Sequence, residues 1–302
     1  MSQSDHPSTT VVGVVGLGSM GAPMARRLLA GHGTVHISAR RPQPGLVADG
    51  AVWHADAAGL AATVDAVLLM LPDLPEIEQV LAGETGLLAG VAARPVDAAP
   101  LLLLIGSTSS APGVRALAER LDGETRGRVR VVDAPVSGGE DGAVAGTLSI
   151  MLGGTETDCA AATVALSPCG TPIRLGPLGA GEVAKACNQL VVAATIMALG
   201  ETTVLADRSG IDVGAMWDLL GHGYASSRLL DTRREKLVTG DDSPSGMAKY
   251  MLKDLRSAAE VAAGTDTRAV LIPALRAAFE EIVDAGLGDR DMSVTRRFIA
   301  DR

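Results

Sequence analysis

Lys185 is the residue of this 302-residue sequence whose surroundings point most clearly to chemistry. It is the only charge in an otherwise almost entirely apolar, helix-like stretch from Val183 to Gly200. Burial disfavours an ammonium ion and lowers a lysine pKa by up to ~3–5 units when desolvation is complete. We therefore predict a lysine that exchanges protons near neutral pH. The alternative is a structural lysine whose stem packs while its ammonium reaches water, and the residue by itself leaves both interpretations open.

Asn188 and Gly181 fall on the same predicted helical face as Lys185, since they are three and four positions away from it. Asn188 places an amide beside the ammonium. Gly181 has no side chain and leaves space above the ammonium for a small molecule. The spacing predicts a site where a small molecule is held and protonated.

A glycine-rich turn near the start of the chain lies between an apolar strand, Val11–Val15, and a helix from Ala22 to Leu29. The turn consists of Gly16, Leu17, Gly18, Ser19, Met20 and Gly21. In such a motif the first glycine makes the tight turn, the second lets backbone amides approach a pyrophosphate, and the third lets the helix pack on the strand. Amide donors at the helix N-terminus favour phosphate. The turn alone is weak evidence among 36 glycines, but its flanking elements are those that a dinucleotide site requires.

Arg40 and Arg41 follow the next predicted strand, Thr34–Ala39. An NAD-preferring site places Asp or Glu there, against the 2′-hydroxyl of the adenosine ribose. Two guanidinium groups can instead hold a 2′-phosphate, and no carboxylate repels it. We predict a preference for NADP(H) over NAD(H), although arginines at a strand end are often only solvated.

Buried parallel strands are predicted at Asp65–Met70 and Leu101–Ile105, where continuous apolar runs end in turn residues. A further strand, Arg130–Asp133, leads into a loop of small residues ending in Ser137, Gly138 and Gly139. Amides beside a serine hydroxyl can hold a carboxylate. The alternative is a tight turn before the strand Leu148–Leu152, which the loop alone favours.

The alternation of strands and helices stops around Thr171–Leu178, and a long helix is predicted from about Glu182 to Arg208. The predicted fold class is α/β: an N-terminal Rossmann-type doubly wound sheet plus an all-α C-terminal domain, joined by this interdomain helix. We expect a disordered tail at residues 1–10, a dinucleotide domain at 11–176 and a helical substrate and oligomerisation domain at 177–302. Peripheral mobile loops are expected at Ala93–Pro100, Asp122–Arg128 and Gly240–Gly246.

The composition excludes several classes of function. A net charge of −9 argues against nucleic acid or an anionic membrane surface as the main partner. The apolar run after Gln189 reaches only Gly200, shorter than the ~20 residues of a membrane span. Three cysteines without CxxC spacing and five scattered histidines predict a reducing cytoplasm and no metal site. With 2% aromatic residues, the cores are expected to be aliphatic.

In this order, the motifs resemble those of the β-hydroxyacid dehydrogenase family, which includes 3-hydroxyisobutyrate dehydrogenases and tartronate semialdehyde reductases. The resemblance extends over nearly the whole chain after residue 10. It rests on the glycine turn and on three further segments: Asp133-Ala134-Pro135-Val136-Ser137-Gly138-Gly139, Gly181-Glu182-Val183-Ala184-Lys185-Ala186-Cys187-Asn188-Gln189, and Lys253-Asp254-Leu255. The pair Asn188-Gln189 is more similar to the tartronate semialdehyde reductases. Gly106 and Met247 depart from the usual Asp and Phe, and leave the substrate open.

The resemblance implies a role for each of these segments. Lys185 would be the catalytic acid/base, and Asn188 would orient the substrate. The substrate carboxylate would be anchored by Ser137, Gly138 and Gly139. Gly181 would keep the substrate pocket roomy, and Lys253 would close the site near substrate and nicotinamide. The nicotinamide and its ribose would be bordered by Met70, Leu71, Pro72, Thr108 and Ser109.

The predicted reaction interconverts a short 3-hydroxy or 2-hydroxy acid and its semialdehyde or keto acid, so the substrate is a small carboxylate. The expected assembly is a homodimer or homotetramer. One alternative is an imine reductase of similar fold, although such enzymes usually lack the lysine. A second is a non-catalytic NADP-binding protein, against which Lys185, Asn188 and Lys253 together argue. The individual acid, the physiological direction and the pathway are not specified by the sequence.

Overall fold

The computed structural model describes residues 10–302. The predicted N-terminal tail therefore lies, except for Thr10, outside the described residues. The chain divides into two compact units, the first ending at Lys185 and the second running from Ala186 to Arg302. The predicted boundary near Gly176 stays a prediction.

The first unit contains a sheet of nine strands among the described residues. They are β1 Val12–Val15, β2 His36–Ser38, β3 Val52–Trp53, β4 Ala66–Leu69, β5 Leu101–Ile105, β6 Val129–Asp133, β7 Val136–Ser137, β8 Leu148–Gly153 and β9 Gly170–Gly176. The order is β3-β2-β1-β4-β5-β6-β8-β7, with β9 also paired to β8. Strands β1 to β6 are parallel, and β8 is antiparallel to β6 and β7.

The register brings the carboxyl ends of the central strands to one edge. Val15 pairs with both Ser38 and Leu69, Leu69 pairs with Ile105, and Ile105 pairs with Asp133. Ligands of open α/β sheets bind at this edge. The sheet therefore places the segments after β1, β2, β4, β5 and β6 side by side.

Both faces of the central strands β1, β4 and β5 are buried, as their continuous apolar runs predict. Val14, Leu68 and Leu104 belong to one core cluster, whereas the alternate residues Val67 and Leu103 belong to another. Full burial of each such side chain contributes about 1.5–3 kcal/mol. The first-unit cores are aliphatic, as expected.

Helices cover the sheet and continue into the second unit. They are α1 Gly21–His32, α2 Pro44–Ala48, α3 Ala57–Ala61, α4 Leu74–Leu81, α5 Leu87–Ala93, α6 Ala111–Thr125, α7 Gly139–Ala145, α8 Glu156–Leu166, α9 Ala180–Arg208, α10 Val213–Gly221, α11 Arg228–Thr239, α12 Ala248–Gly264, α13 Leu271–Asp284 and α14 Thr295–Ala300, with 3₁₀ turns at Ser167–Cys169 and Met292–Val294. The predicted α/β fold with a helical C-terminal part is confirmed.

The regular elements of the second unit are all helices, and its core is centred on Trp217 and Phe279, both essentially buried. Trp217 Nε1 donates a hydrogen bond to Thr203 Oγ1 at 3.3 Å. The expectation of purely aliphatic cores is therefore wrong for this unit, because the few aromatic residues are concentrated in it.

Two local predictions are corrected by the structure. The segment Asp122–Arg128, predicted as a loop, is helical up to Thr125 and ends where Arg126 adopts a left-handed conformation (φ 53°). The region Thr171–Leu178, where strands were expected to stop, contains the mostly exposed strand β9. This segment forms a strand because it pairs with β8, although its local sequence pattern does not predict one.

Helix α9 has 29 residues, more than the run to Gly200 on which the prediction against a membrane span rested. Among the described residues it is the one helix long and apolar enough to cross a membrane. Its most apolar 18-residue window has a mean hydropathy of 1.6, and 39% of that window is buried within the protein. One such helix is weak evidence, since the core helix of a soluble protein meets the same criteria.

Candidate active site

The glycine turn lies at the carboxyl edge of the sheet, between β1 and α1. Gly16 has φ +94°, and a Cβ there would lie 2.3 Å from Met70 O. A Cβ on Gly21 would lie 1.9 Å from Gly16 O, whereas the space at Gly18 is open within 4 Å. The first and third glycines therefore allow β1, α1 and the end of β4 to pack together, and the second leaves a cradle of the kind that a dinucleotide pyrophosphate fills.

The N-terminus of α1 faces this cradle with partial positive charge. The helix begins at Gly21, and among residues 10–302 no acceptor is recorded for the N–H groups of Ser19 and Met20. Such amides are suited to phosphate oxygens. The residues present therefore fit a bound dinucleotide.

Arg40 and Arg41 follow the end of β2, the strand next to β1, and both are exposed. No carboxylate forms an ion pair with either guanidinium in the part of the chain that the structure describes. Both side chains are therefore available to an anionic group at this end of the sheet.

The segments predicted to border the nicotinamide lie in contact at the ends of β4 and β5. The Leu71 N–H donates to Ser107 Oγ at 3.1 Å. A Cβ on Gly106 would lie 2.3 Å from Met70 Sδ, so the Met70 thioether occupies the space that a side chain at 106 would need. No role was predicted for Ser107, although it directly precedes the predicted Thr108 and Ser109. Pro72 follows Leu71 and is exposed.

The buried carboxylate of Asp133, at the end of β6, fixes the start of α9. Asp133 accepts hydrogen bonds from the Gly179 N–H at 2.7 Å and the Glu182 N–H at 2.8 Å. Burial raises the pKa of Asp133, and the backbone hydrogen bonds oppose that rise. Sequence reasoning missed this role; the available signal was an acidic residue ending a buried strand.

Glu182 is also buried, and its Oε2 accepts a 3.0 Å hydrogen bond from the Ser109 N–H. The first turn of α9 is thus attached to the segment after β5. Gly181 lies between these contacts, where a Cβ would be 2.2 Å from Met151 O. The missing side chain lets α9 pack against β8, and the substrate-pocket role predicted for Gly181 stays a prediction.

Lys185 is 7% exposed, and its Nζ donates a 2.8 Å hydrogen bond to Val136 O. Val136 directly precedes Ser137, Gly138 and Gly139, so the lysine and the predicted carboxylate loop are neighbours in space. Ser137 ends β7, Gly138 has φ +135°, and α7 begins at Gly139. The loop is thus a strand-to-helix junction rather than only a tight turn.

Asn188 and Lys253 lie in the second unit and are both half-buried. Asn188 Nδ2 donates to Gln189 Oε1 at 2.9 Å, and Gln189 Nε2 donates to Asp254 Oδ2 at 2.5 Å. Asn188 lies one turn after Lys185 on α9, as predicted. Sequence reasoning assigned no function to Gln189 or Asp254, which adjoin the predicted residues in both motifs.

Among residues 10–302, no three His, Cys, Asp or Glu side chains are grouped so that they could hold a metal ion. The chemistry of the described side chains is instead that of a buried ammonium beside small polar groups. A doubly wound sheet with a phosphate cradle at its carboxyl edge defines the class: a protein that binds a dinucleotide.

Comparisons with known proteins specify that class further. A family model described as the NAD binding domain of 6-phosphogluconate dehydrogenase matches residues 11–179, and one described as NAD-binding of NADP-dependent 3-hydroxyisobutyrate dehydrogenase matches residues 179–299. The chain is 34% identical over 255 residues to 2-hydroxy-3-oxopropionate reductase of Escherichia coli, covering 83% of this chain and 84% of that protein.

Solved structures show the same architecture. A 3-hydroxyisobutyrate dehydrogenase of Mycobacterium tuberculosis, solved with L-serine, aligns with a TM-score of 0.80 at 27% identity, covering 96% of this chain and 99% of that one. An imine reductase of Streptomyces aurantiacus shares the fold alone, with a TM-score of 0.62 at 20% identity over 96% of this chain and 99% of that one.

The chain belongs to the β-hydroxyacid dehydrogenase family, as its motifs predicted. It is a nicotinamide dinucleotide-binding oxidoreductase that acts on a hydroxyl group.

Proposed function

We propose that the protein is an NADP(H)-dependent dehydrogenase or reductase that interconverts a short-chain hydroxy acid and its semialdehyde, with Lys185 as the general acid/base. One observation carries the proposal: the buried Lys185 ammonium lies 2.8 Å from the carbonyl oxygen of Val136, at the entrance to the Ser137–Gly139 loop. The residue proposed as proton donor and the loop proposed to bind the carboxylate are thus adjacent.

The bound nicotinamide supplies hydride exchange with the carbonyl carbon of the substrate. In the proposed reduction, Lys185 donates a proton to the substrate oxygen as negative charge develops there. Its positive charge also stabilises that oxygen before the proton moves. In the oxidation direction, the neutral amine accepts the hydroxyl proton.

The Ser137 hydroxyl and the backbone amides of Gly138 and Gly139 are proposed to hold the substrate carboxylate. Gly138 and Gly139 are exposed, and the space at Gly139 is open within 4 Å, which supports an approach to the backbone. Asn188 is proposed to orient the substrate, and Lys253 is proposed to lie near substrate and nicotinamide when the site is closed.

The preference for NADP(H) is supported by the exposed guanidinium groups of Arg40 and Arg41 after β2, which form no ion pair with any of residues 10–302. The substrate class is supported by the relatives, named for 2-hydroxy-3-oxopropionate and 3-hydroxyisobutyrate. An imine substrate needs no carboxylate anchor, so the Ser137 loop beside Lys185 favours a hydroxy acid. The homodimer or homotetramer and the cytoplasmic location stay predictions.

The test measures NADPH oxidation by the wild type, Lys185→Ala and Lys249→Ala against 2-hydroxy-3-oxopropionate, 2-methyl-3-oxopropionate, glyoxylate and succinic semialdehyde. Lys249 is a surface lysine whose ion pair with Asp289 is largely exposed, so it provides a matched control. We expect turnover of at least one acid by the wild type and the control, and its loss in Lys185→Ala. If NADPH binds but no acid is reduced, the imine reductase or non-catalytic alternative replaces this proposal.

A further inference from the structure

The side chain of Glu182 joins the beginning of α9 to the segment that follows β5. Glu182 is 2% exposed, and its Oε2 accepts the 3.0 Å hydrogen bond from the Ser109 N–H. The Glu182 N–H donates in turn to Asp133 Oδ2 at 2.8 Å. One buried residue of the first unit, which ends at Lys185, thus connects the segments after β5 and β6.

Residues 106–110, which follow β5, are also held on their other side, by the end of β4. Ser107 Oγ accepts a 3.1 Å hydrogen bond from the Leu71 N–H, whereas the Ser109 N–H is held from α9. Both serines are buried. Thr108 and Ser109, which are predicted to border the nicotinamide, therefore lie in a segment fixed from two directions.

A carboxyl group is an unfavourable choice for filling the space at position 182. Moving a polar group from water into a protein interior costs free energy unless hydrogen bonds replace those to water. A methionine side chain has a similar length and would fill the space without that cost. The Ser109 N–H is buried as well, and a buried N–H without an acceptor is destabilising. The acceptor at the end of the Glu182 side chain is therefore what the Ser109 N–H requires.

Glu182 and Lys185 lie three positions apart on α9, so their side chains are neighbours one helical turn apart. Lys185 Nζ donates to Val136 O, and Glu182 reaches the segment after β5. The same part of α9 thus holds the proposed proton donor and the segment predicted to border the nicotinamide. Reacting atoms have to approach within ~3–3.5 Å, and a displacement of ~1 Å can lower a rate about 100-fold.

We propose that Glu182 is a positioning residue: through the Ser109 N–H it sets the distance between the segment that borders the nicotinamide and Lys185. This inference rests on the proposed function. The substrate carbonyl receives hydride on its carbon and the proton on its oxygen, so both groups have to be held in one geometry. A carboxyl oxygen can accept the N–H whether the group is ionised or protonated. The role therefore depends on the reach of Glu182 rather than on its charge.

Two substitutions separate reach from charge. Glu182→Gln keeps the length and an acceptor oxygen, whereas Glu182→Asp keeps the carboxyl group and is one methylene shorter, so it no longer reaches the Ser109 N–H. Single-turnover reduction is measured for the acid that the wild type reduces fastest, with NADPH and with NADPH deuterated at the transferred position, so that the isotope effect identifies hydride transfer. We expect Glu182→Gln to keep most of the wild-type rate and Glu182→Asp to be slower by ~10–100-fold.

The control is Glu201→Asp, the same change at an exposed position of α9. Rates are expressed per bound NADPH, and thermal unfolding verifies that each variant is folded. A role in stability alone would lower the melting temperature of Glu182→Asp and leave its rate per bound NADPH unchanged. The pH dependence of the rate should be the same for Glu182→Gln as for the wild type, because the role does not depend on charge.

A Glu182→Gln variant as slow as Glu182→Asp, or a Glu182→Asp variant with the wild-type rate, would overturn this inference while leaving the proposed function intact. If Glu182→Asp does not fold, Glu182→Met, which fills the space without an acceptor, decides in the same way. A wild type that binds NADPH but reduces none of the four acids overturns the proposed function itself. The fluorescence emission of bound NADPH then decides the inference: Glu182→Asp should change it, and Glu182→Gln should not.

Discussion

Replacing both Arg40 and Arg41 by Ala should weaken NADPH binding selectively. The two guanidinium groups follow β2 at the edge of the sheet that also carries the glycine turn, and neither has an ion-pair partner among the described residues. NADH lacks the 2′-phosphate and keeps every other contact. The variant should therefore bind NADH almost as the wild type does.

The size of the effect follows from the exposure of the two arginines. A pair of unit charges ~4 Å apart contributes about 1 kcal/mol in water, and a phosphate monoester carries about −1.5 to −2 charges at pH 7. Each arginine could thus contribute up to about 2 kcal/mol, from which side-chain entropy and salt screening subtract. We expect a ~30–300-fold increase in the Kd of NADPH for the double variant, at 1.4 kcal/mol per factor of ten.

Both dissociation constants are measured by fluorescence titration without substrate, with Arg268→Ala as an exposed control. The wild-type preference for NADPH should shrink at high salt, because exposed charges are screened. It should also decrease below about pH 6, where the phosphate loses its second charge. A double variant with an unchanged ratio of the two Kd values would refute the assignment of these arginines to the 2′-phosphate.

Three further predictions concern the framework of the site. Asp133→Asn should lower the free energy of unfolding by about 1–3 kcal/mol, because one of the two buried backbone N–H groups that Asp133 accepts from loses its acceptor. Since burial raises the pKa of Asp133, the difference in unfolding free energy between wild type and variant should shrink as pH rises from about 4 through the folded pKa. A difference in urea unfolding that stays constant with pH would contradict this. Gly21→Ala should raise the Kd of NADPH and NADH alike at least ~10-fold, since its Cβ would lie 1.9 Å from Gly16 O; unchanged affinities would contradict the close packing. A thiol reagent at pH 8 should label the exposed Cys187 alone in the native protein, because Cys159 and Cys169 are buried and burial raises the pKa of Cys169 to about 12; rapid labelling of all three would contradict this.

The main strands could be predicted because their signal is local. Ala66–Leu69 and Leu101–Ile105 are continuous apolar runs bounded by turn residues, the pattern of a strand buried on both faces. The strands β3 and β7 have two residues each. Their strand character comes from pairing with β2 and β8, which no local pattern records.

The candidate site was predictable in its residue types but not in its contacts. A lone charge in an apolar helix pointed to Lys185, and helical spacing placed Asn188 beside it. The carbonyl that holds Lys185 is 49 positions away, and Gln189 and Asp254 are 65 positions apart. Such pairs are brought together by tertiary packing, so sequence reasoning had no signal that Val136 O or Asp254 would be the partner.

The central claim is that Lys185 exchanges the proton with the substrate oxygen. Single-turnover reduction of 2-hydroxy-3-oxopropionate by NADPH, measured for the wild type, Lys185→Ala and Lys249→Ala, tests it most directly. A positioned acid contributes ~10²–10⁴-fold, so we expect the Lys185→Ala rate to fall by at least that range while the Kd of NADPH stays within about twofold. A Lys185→Ala variant that retains most of the wild-type rate would contradict the account.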